Sequence, residues 1–410
     1  MQVQNPLGIY VIISPEACME KILEELNKNP MFRLSLGSKE LFHSNFLAFL
    51  WDQNPKAFLE LLNDLCHNSI QVEDLFRKEP TLDREKENFD ICIHHKEGKG
   101  EKEIYDIIIE NKVKSIPYKE QLEDYENKVK QHQDNNTTTY ILLTLADNFP
   151  NANNIKGWTI VSYKTLAEKL ESKKNDFSSS NQQILQYIED YIHFIEQLTP
   201  LKDKILEDLK NNGPYHQQED INTFHKYKLS DLYIKLRGAY FIGLIKDKLE
   251  STYKKNGVDV EYFTSSKFEE RRRGGNGEKT MIWLHSGMNR GKSTVTASIN
   301  PANSEHLYEL QIEGDQYRHM FNQNGLIAKR LIVSNKLLKI PYFDNNKLPN
   351  RVKNSWAGER DFNQYKPNCL YKYVKFNPET TVNEMIEILI DDIVKVLRYI
   401  RNCESVVCKF

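Results

Sequence analysis

Two acidic residues and a lysine stand out by their spacing. Glu110 and Lys112 lie two residues apart in the apolar run Ile104–Val113, and Asp90 lies in the preceding run Phe89–Ile93. Side chains two apart on a strand point to the same face. A carboxylate on a half-buried face needs a cation or a hydrogen-bond partner, because burying it unpaired is costly. Such oxygen ligands suit a divalent ion, typically Mg²⁺, and a lysine beside them suits a phosphate or a nucleophilic water.

Two predicted strands hold these residues. Phe89–Ile93 alternates like a strand, and Ile104–Val113 is rich in β-branched residues. The polar, glycine-containing segment Lys96–Glu103 between them indicates a turn. The sequence therefore predicts a β-hairpin with Asp90 on its first strand and Glu110 on its second.

Further elements of the first half alternate between helix and strand. Helix starts are indicated at Ser14, with a proline in the first turn, and near Ser38. The remaining predicted elements are a helix over Lys56–His67, a helix from Ser115 and Pro117 that carries Gln121 and Tyr125, strands Thr138–Leu145 and Trp158–Tyr163, a helix over Lys164–Leu170, and a helix containing Ile184 to Ile195. This order predicts an α/β fold with a mixed sheet.

A domain boundary is predicted near Thr199–Pro200, which gives domains 1–199 and 200–410. The polar segments Glu171–Gln183 and Asn211–Asp220 on either side of it indicate connectors. The second half is predicted to be α+β. Its predicted elements are a helix through Leu229–Leu249, strands at Met281–Leu284, Leu307–Ile312 and Leu370–Phe376, and a closing helix over Val382–Ile400.

The ordered polar residues resemble the PD-(D/E)XK nuclease superfamily, in which an Asp on one strand and a Glu-x-Lys on the next hold a metal and the scissile phosphate. Asp90 and the triplet Glu110-Asn111-Lys112 match that motif, although Asn88-Phe89 stands where the family has its proline. The helix segment Glu40-Leu41-Phe42-His43-Ser44 resembles the first-helix acid and the His-Ser pair of one bacterial branch.

A third part of the resemblance is the helix after the Glu-x-Lys strand. Tyr118, Gln121 and Tyr125 are similar to the family's helix in which a Gln and a Tyr approach the metal site or the substrate. The resemblance implies that Gln121 orients the site and that Tyr125 contacts nucleic acid.

The resemblance covers about the first half of the chain and implies a metal-dependent nuclease that hydrolyses phosphodiester bonds, with DNA favoured over RNA. Asp90 and Glu110, helped by Glu40, would hold Mg²⁺, with Mn²⁺ as the alternative. Lys112 would position the attacking water or offset charge on the phosphate. The implied fold is a restriction-endonuclease-like mixed sheet flanked by helices, followed by a C-terminal α+β accessory domain.

These residues also have explanations without catalysis. An acid such as Glu40 in the first turn of a helix is stabilised by the helix dipole, and Gln121 and Tyr125 could be ordinary packing at helical spacing. His43 is more simply a structural histidine than a ligand. The rival hypothesis is a nucleic-acid-binding or assembly module that keeps the fold but does not cut, which the intact Asp90 and Glu-x-Lys argue against.

The glycine-containing segment Ser286–Thr294 suggests a phosphate-binding loop and, with it, an ATP-driven protein. Its spacing differs from that loop, because Ser286 stands where the first glycine is required and Gly287 comes one place late. We therefore expect an ordinary loop between two strands.

Two further polar clusters lie outside the motif. Arg271, Arg272 and Arg273 open a glycine-rich loop that could contact a phosphate backbone, or form a solvated hairpin tip balanced by the two preceding glutamates. We predict that this arginine triplet contacts nucleic acid. His94 and His95 are expected to be surface histidines, because no Cys or His stands at zinc spacing nearby.

The overall charge is nearly balanced: 56 Lys and Arg against 58 Asp and Glu give a formal net charge of -2. Contact with nucleic acid must therefore be local. No apolar run approaches the roughly 18–20 residues of a membrane span, and the first residues lack the regions of a signal peptide. The six cysteines include no C-x-x-C pair, which suits a reducing compartment. We expect a cytoplasmic protein without membrane contact, and the sequence leaves open a homo-oligomer or another protein partner.

Overall fold

The hairpin predicted around Glu110 forms in the structure, a computed structural model, where it lies inside a five-stranded sheet. The structure describes residues 2–4, 10–12, 15–35, 40–98, 102–113, 119–133, 137–146, 155–178, 181–212, 218–256, 260–264, 280–289, 292–300, 308–313, 316–322, 352–353, 363–364, 369–376, 381–387 and 389–391. In chain order, the elements up to residue 256 are β1 (Gln2–Gln4), β2 (Tyr10–Ile12), α1 (Pro15–Lys28), α2 (Pro30–Leu34), α3 (Glu40–Gln53), α4 (Pro55–Leu65), α5 (Val72–Phe76), β3 (Thr81–Arg84), a 3₁₀ turn (Lys86–Asn88), β4 (Ile91–Glu97), β5 (Lys102–Lys112), α6 (Lys119–His132), β6 (Thr139–Thr144), β7 (Trp158–Ser162), α7 (Tyr163–Ser178), α8 (Gln182–Asn212), α9 (Gln218–Lys226) and α10 (Ser230–Asn256).

The sheet has the strand order β3-β4-β5-β6-β7. The pairs β3–β4 and β4–β5 are antiparallel, whereas β5–β6 and β6–β7 are parallel. Helix α6 connects β5 to β6, because parallel neighbours need a crossover. The predicted mixed sheet is thus confirmed. The sequence does not predict β3, a strand of four residues with no fully buried side chain to give it a clear alternation.

Different helices cover the two faces of this sheet. Ile107 and Ile109 of β5 belong to a large core that also takes in α1, α3, α4, α7 and α8. Ile108, between them, belongs to a smaller core with Leu122 and Val129 of α6. Because successive strand residues point to opposite faces, the sheet is buried between two helical layers. This arrangement confirms the predicted α/β fold with flanking helices.

Local capping explains where helix α4 begins. The side chain of Asn54 accepts a hydrogen bond from the backbone N–H of Ala57 at 3.1 Å, and Pro55 occupies the first helical position. Both features satisfy or remove donors that the first helical turn leaves unpaired.

Helix α7 continues through a segment that the sequence predicted to be a connector. It runs to Ser178, so residues 171–178 are helical rather than a polar linker. Leu170 and Phe177 are buried on one side of this helix. The charged run between them is the solvated face of an amphipathic helix, which composition alone does not distinguish from a loop.

The predicted boundary at Thr199–Pro200 lies inside α8, where Thr199 Oγ1 donates a hydrogen bond to the Ile195 carbonyl at 3.2 Å. By its internal contacts the chain forms two compact units, one of Met1–Leu206 with Glu219–Leu236, and one of Glu207–Gln218 with Arg237–Phe410. A proline is tolerated here without ending the helix, although it removes one backbone donor. The assignment of separate domains 1–199 and 200–410 stays a prediction.

The second unit contains an eight-stranded sheet. Its strands are β8 (Val260–Thr264), β9 (Thr280–Asn289), β10 (Lys292–Asn300), β11 (Tyr308–Glu313), β12 (Gln316–Asn322), β13 (Val352–Lys353), β14 (Asn363–Gln364) and β15 (Cys369–Phe376). The order is β13-β15-β12-β11-β10-β9-β8, with β14 also on β15, and all pairs except β8–β9 are antiparallel. Residues 382–387 and 389–391 are helical. Strands and helices are thus segregated along this unit, as the predicted α+β class requires.

The glycine-containing segment 286–294 lies in a hairpin of this sheet. Lys292 of β10 pairs with Asn289 of β9, so a strand leads into another strand. A phosphate-binding loop requires a strand followed by a helix. The order of strand followed by strand agrees with the expectation, but residues 286–289 and 292–294 belong to the strands themselves rather than to a loop.

In the part of the chain that the structure describes, no helix is both long enough and apolar enough to cross a membrane.

Candidate active site on the central hairpin

Asp90 and Glu110 are brought together by the register of the hairpin. Ile91, the first residue of β4, lies opposite Ile109, so the same register continued by one residue places Asp90 opposite Glu110. Asp90 therefore lies just before the strand on which the sequence predicted it. The strand begins late because Phe89, although extended, donates its backbone N–H to the Lys86 carbonyl of the preceding 3₁₀ turn rather than to a neighbouring strand.

The carboxylate of Glu110 is buried and receives two polar contacts on one oxygen. Lys112 Nζ lies 2.6 Å from Glu110 Oε1, and Gln121 Nε2 donates a hydrogen bond to the same oxygen at 2.8 Å. Among the described residues, Glu110 Oε2 has no hydrogen-bond partner. A buried carboxylate oxygen without a donor is costly, so this atom suits a cation.

The electrostatics of the site reflect crowded acids in a buried place. Burial, together with the nearby charges of Asp90 and Glu40, raises the pKa of Glu110 to about 8, although Lys112 opposes the shift. Burial also raises the pKa of Asp90 to about 6, against the hydrogen bond from the Asn111 backbone. Burial disfavours the charge of Lys112, but the surrounding carboxylates outweigh it and raise the lysine's pKa. Bringing positive charge to this site would therefore be favourable.

Asn111, the middle residue of the triplet, connects the acids of the site. Its backbone N–H donates to Asp90 Oδ2 at 2.7 Å. Its side chain lies on the opposite face of β5, where Nδ2 donates to the Glu40 carbonyl at 3.0 Å and to Ser44 Oγ at 3.2 Å. The Tyr163 hydroxyl donates to Asn111 Oδ1. The fully buried Asn111 thus fixes the first turn of α3 against the Glu-x-Lys strand.

Glu40 is the first residue of α3 and is half-buried. Burial and closer contacts have the larger effects on the pKa values of Asp90 and Glu110, but the charge of Glu40 also helps to raise both. The predicted third acid thus lies near enough to interact electrostatically with the other two. Its position at a helix N-terminus is also favourable for a carboxylate.

Gln121 and Tyr125 lie one turn apart on α6, the helix behind the site. Gln121 Nε2 is within 2.8 Å of both Glu110 Oε1 and the Tyr125 hydroxyl. The Tyr125 ring is buried against Phe89 and Trp158. Only the hydroxyl of Tyr125 is therefore directed towards the acids, and its contact with nucleic acid stays a prediction.

Residues 29–193 match a family model described as the PD-(D/E)XK nuclease superfamily. The matched segment contains Glu40, Asp90, Glu110, Lys112 and all five strands of the first sheet. This match supports, over this part of the chain, the resemblance to the PD-(D/E)XK nuclease superfamily. Its members are nucleases that use divalent metal ions. No curated protein and no solved structure matched the chain in two further comparisons.

Two parts of the expected PD-(D/E)XK nuclease machinery lie outside the described residues. These are Tyr118, before α6, and the arginine triplet Arg271, Arg272 and Arg273. The structure therefore gives no geometry for the predicted phosphate contacts of the triplet.

His43 is a core residue of the segment that matches the family model. Its Nδ1 lies 3.0 Å from the Tyr191 hydroxyl, and its ring stacks on Phe194 and meets Tyr163 edge-on. The ring has no exposed surface. This environment agrees with the expectation of a structural histidine.

The expectation that His94 and His95 are surface residues is wrong. Both are buried, with relative exposures of 5% and 6%. The reason is β3, the strand absent from the predicted elements: it pairs with β4 and makes β4 an interior strand. Sequence reasoning also missed Asn111 and Tyr163. The pattern of β5 could have pointed to Asn111, since it is a polar residue among inward-facing Ile107, Ile109 and Val113.

Proposed function

We propose that the nuclease-superfamily domain hydrolyses phosphodiester bonds in nucleic acid, with DNA favoured over RNA, in a reaction that depends on Mg²⁺ or Mn²⁺. Asp90, Glu110 and Glu40 are the proposed ligands of the ion. The proposal includes a cytoplasmic location, which the six scattered cysteines without a C-x-x-C pair support because they suit a reducing compartment.

The supporting observation is the buried Oε2 of Glu110, which has no hydrogen-bond partner in the described part of the chain and lies beside a second acid and a lysine. Oxygen donors of this type match the preference of Mg²⁺ and Mn²⁺. An ion held there would polarise the scissile phosphate and lower the pKa of a bound water.

The chain's own residues have distinct roles in this proposal. Lys112, whose raised pKa keeps it positive, offsets negative charge on the phosphate oxygens. Gln121 holds the Glu110 carboxylate in place from α6. The backbone N–H of Asn111 holds Asp90 in the same way from β5.

We further propose that the arginine triplet 271–273 contacts the phosphate backbone. Replacing all three with alanine should reduce the salt dependence of binding by a slope of roughly 0.9 for each lost contact, without changing base preference. Equal affinity and an equal slope in the variant would contradict this contact.

The proposed activity is tested by incubating the full chain with a panel of single- and double-stranded DNA and RNA. Cleavage is expected with Mg²⁺ or Mn²⁺ and should disappear with a chelator. Lys112→Ala should lower the rate by at least about 100-fold, since loss of one electrostatic group at a reacting centre typically costs this much.

Lys102→Ala is the matched control, because Lys102 is an exposed lysine at the other end of the same strand. It should cut at the wild-type rate. Binding of nucleic acid without cleavage under every metal condition would instead support the module that does not cut.

A further inference from the structure

A second polar cluster lies across the first three strands of the sheet. Asp83 of β3, His94 of β4 and Glu103 of β5 each offer one ligand atom, and these atoms lie within 4.8 Å of one another. His94 Nε2 is 2.8 Å from Asp83 Oδ2, and His94 Nδ1 is 2.8 Å from Glu103 Oε1. Because each group belongs to a paired strand, the sheet holds them together in the folded protein.

The composition of this cluster differs from that of the Glu-x-Lys site. One imidazole and two carboxylates form a nitrogen-and-oxygen set of the kind that Zn²⁺ takes with three protein ligands and water. Mg²⁺ prefers oxygen ligands alone. Zinc–ligand distances of about 2.0–2.2 Å would need these atoms roughly 3–3.5 Å apart. A pair at the present limit of 4.8 Å would have to approach by about 1.5 Å.

A side-chain cation already occupies this cluster. Lys86 Nζ lies 3.1 Å from Asp83 Oδ2 and 3.4 Å from His94 Nε2, and it also forms an ion pair with Glu103. The Lys86 side chain is 28% exposed and lies in the 3₁₀ turn, so it can leave towards solvent. The cluster is thus built to hold positive charge and has an occupant that can be displaced.

We propose that Asp83, His94 and Glu103 bind a divalent ion of the Zn²⁺ class, in exchange for the ammonium group of Lys86. The site is separate from the acids around Glu110. The central ligand His94 is four residues along the chain from Asp90, roughly 13 Å along an extended strand. The proposal therefore does not depend on nuclease activity.

Binding of Zn²⁺ alone to the full chain, measured by calorimetry in excess Mg²⁺, tests this site. One ion per chain is expected. His94→Gln should weaken Zn²⁺ binding by more than the roughly 10–100-fold that is typical when a residue hydrogen-bonded to a metal ligand is lost. Co²⁺ in place of Zn²⁺ should give a visible spectrum that the His94 variant lacks.

Two matched variants make the test specific. His95→Gln changes the adjacent buried histidine, whose Nδ1 pairs at 2.7 Å with a single carboxylate, Asp106. It should bind Zn²⁺ as wild type does. Lys86→Met removes the competing ammonium and should bind about tenfold more tightly, a gain that misfolding cannot produce.

The absence of Zn²⁺ binding in both wild type and Lys86→Met would overturn the proposal and leave the cluster as an ion-pair network between strands. Binding that persists in His94→Gln would overturn it as well, because the ion would then lie elsewhere.

Discussion

The buried carboxyl of Glu110 makes the stability of the metal-free protein depend on pH. Burial raises its pKa from 4.5 to about 8, so the folded protein keeps a proton that the unfolded chain has released. The contribution of this proton to the free energy of unfolding has its full value below about pH 4.5, and it is lost as the pH rises through about 8. Asp90 acts in the same direction, because burial raises its pKa from 3.8 to about 6.

Glu110→Gln should therefore be more stable than wild type at about pH 8 in the presence of a chelator, by an amount on the order of a few kcal/mol. At about pH 5 the difference should be small. Thermal unfolding followed by circular dichroism at both pH values measures this. Parallel pH profiles for the two proteins would show that Glu110 is not the group responsible.

Asn111 is expected to act on metal binding through Glu40. Asn111→Ala removes the hydrogen bond to the Glu40 carbonyl and should weaken Mn²⁺ binding by roughly 10–100-fold, as loss of an outer partner does. In a Glu40→Gln background the same change should have little further effect, because residues acting as one unit are not additive. Calorimetry on the four proteins gives the comparison.

If the effects of Asn111→Ala and Glu40→Gln on Mn²⁺ affinity add fully in the double variant, Asn111 has only a structural role. Tyr163→Phe is a useful companion, because it removes the hydrogen bond to Asn111 Oδ1 and leaves the contact with Glu40. It should change Mn²⁺ affinity less than Asn111→Ala does.

At the scale of residues, spacing predicts what lies close in sequence. Glu110 and Lys112 share a face because strand residues alternate, and the hairpin then brings Asp90 opposite Glu110. The partners of Asn111 could not be predicted, since Ser44 and Tyr163 come from helices 67 and 52 residues away.

Helix α6 contributes Gln121 to the site. Gln121 contacts both Glu110 and Tyr125 and is half-buried. Gln121→Ala should lower kcat with little change in KM, while the loss of stability stays near the 0.5–1.5 kcal/mol, roughly, of a typical hydrogen bond. Gln131→Ala, at an exposed position of the same helix, is the control for helix stability.

A rate equal to wild type in Gln121→Ala would assign Gln121 to packing. Steady-state kinetics and thermal unfolding on the same preparations separate the two explanations.

The elements around the site were predictable because their signals are local. Helix α4 begins at Asn54 and Pro55, and β5 carries a continuous β-branched run. Strand β3 has no such signal: it is defined by its pairing with β4, whose partner residues lie seven to thirteen positions away. The omission of this one strand also caused the wrong expectation for His94 and His95.

At the scale of the whole chain, α8 runs through the boundary predicted at residues 199–200. We expect limited proteolysis to spare residues 171–178, where Phe177 is buried in the core, and to cut within the polar segment 211–220. Mass spectrometry of the first fragments locates the cut. Early cleavage within α7, or a chain that resists cleavage throughout 171–220, would contradict this division.

The second unit was predictable only as a class. Most of its strands pair antiparallel with neighbours, and β13 and β14 have two residues each. Segments this short have no readable periodicity, and their strand character comes from partners elsewhere in the sheet.

The central claim is that Glu110 holds a metal ion that phosphodiester cleavage requires. Single-turnover cleavage of DNA in Mg²⁺ by Glu110→Gln and by Glu97→Gln, an exposed acid on the same hairpin, tests it most directly. We predict a rate at least about 100-fold below wild type for Glu110→Gln and an unchanged rate for Glu97→Gln. Wild-type cleavage by a folded Glu110→Gln variant would contradict the claim.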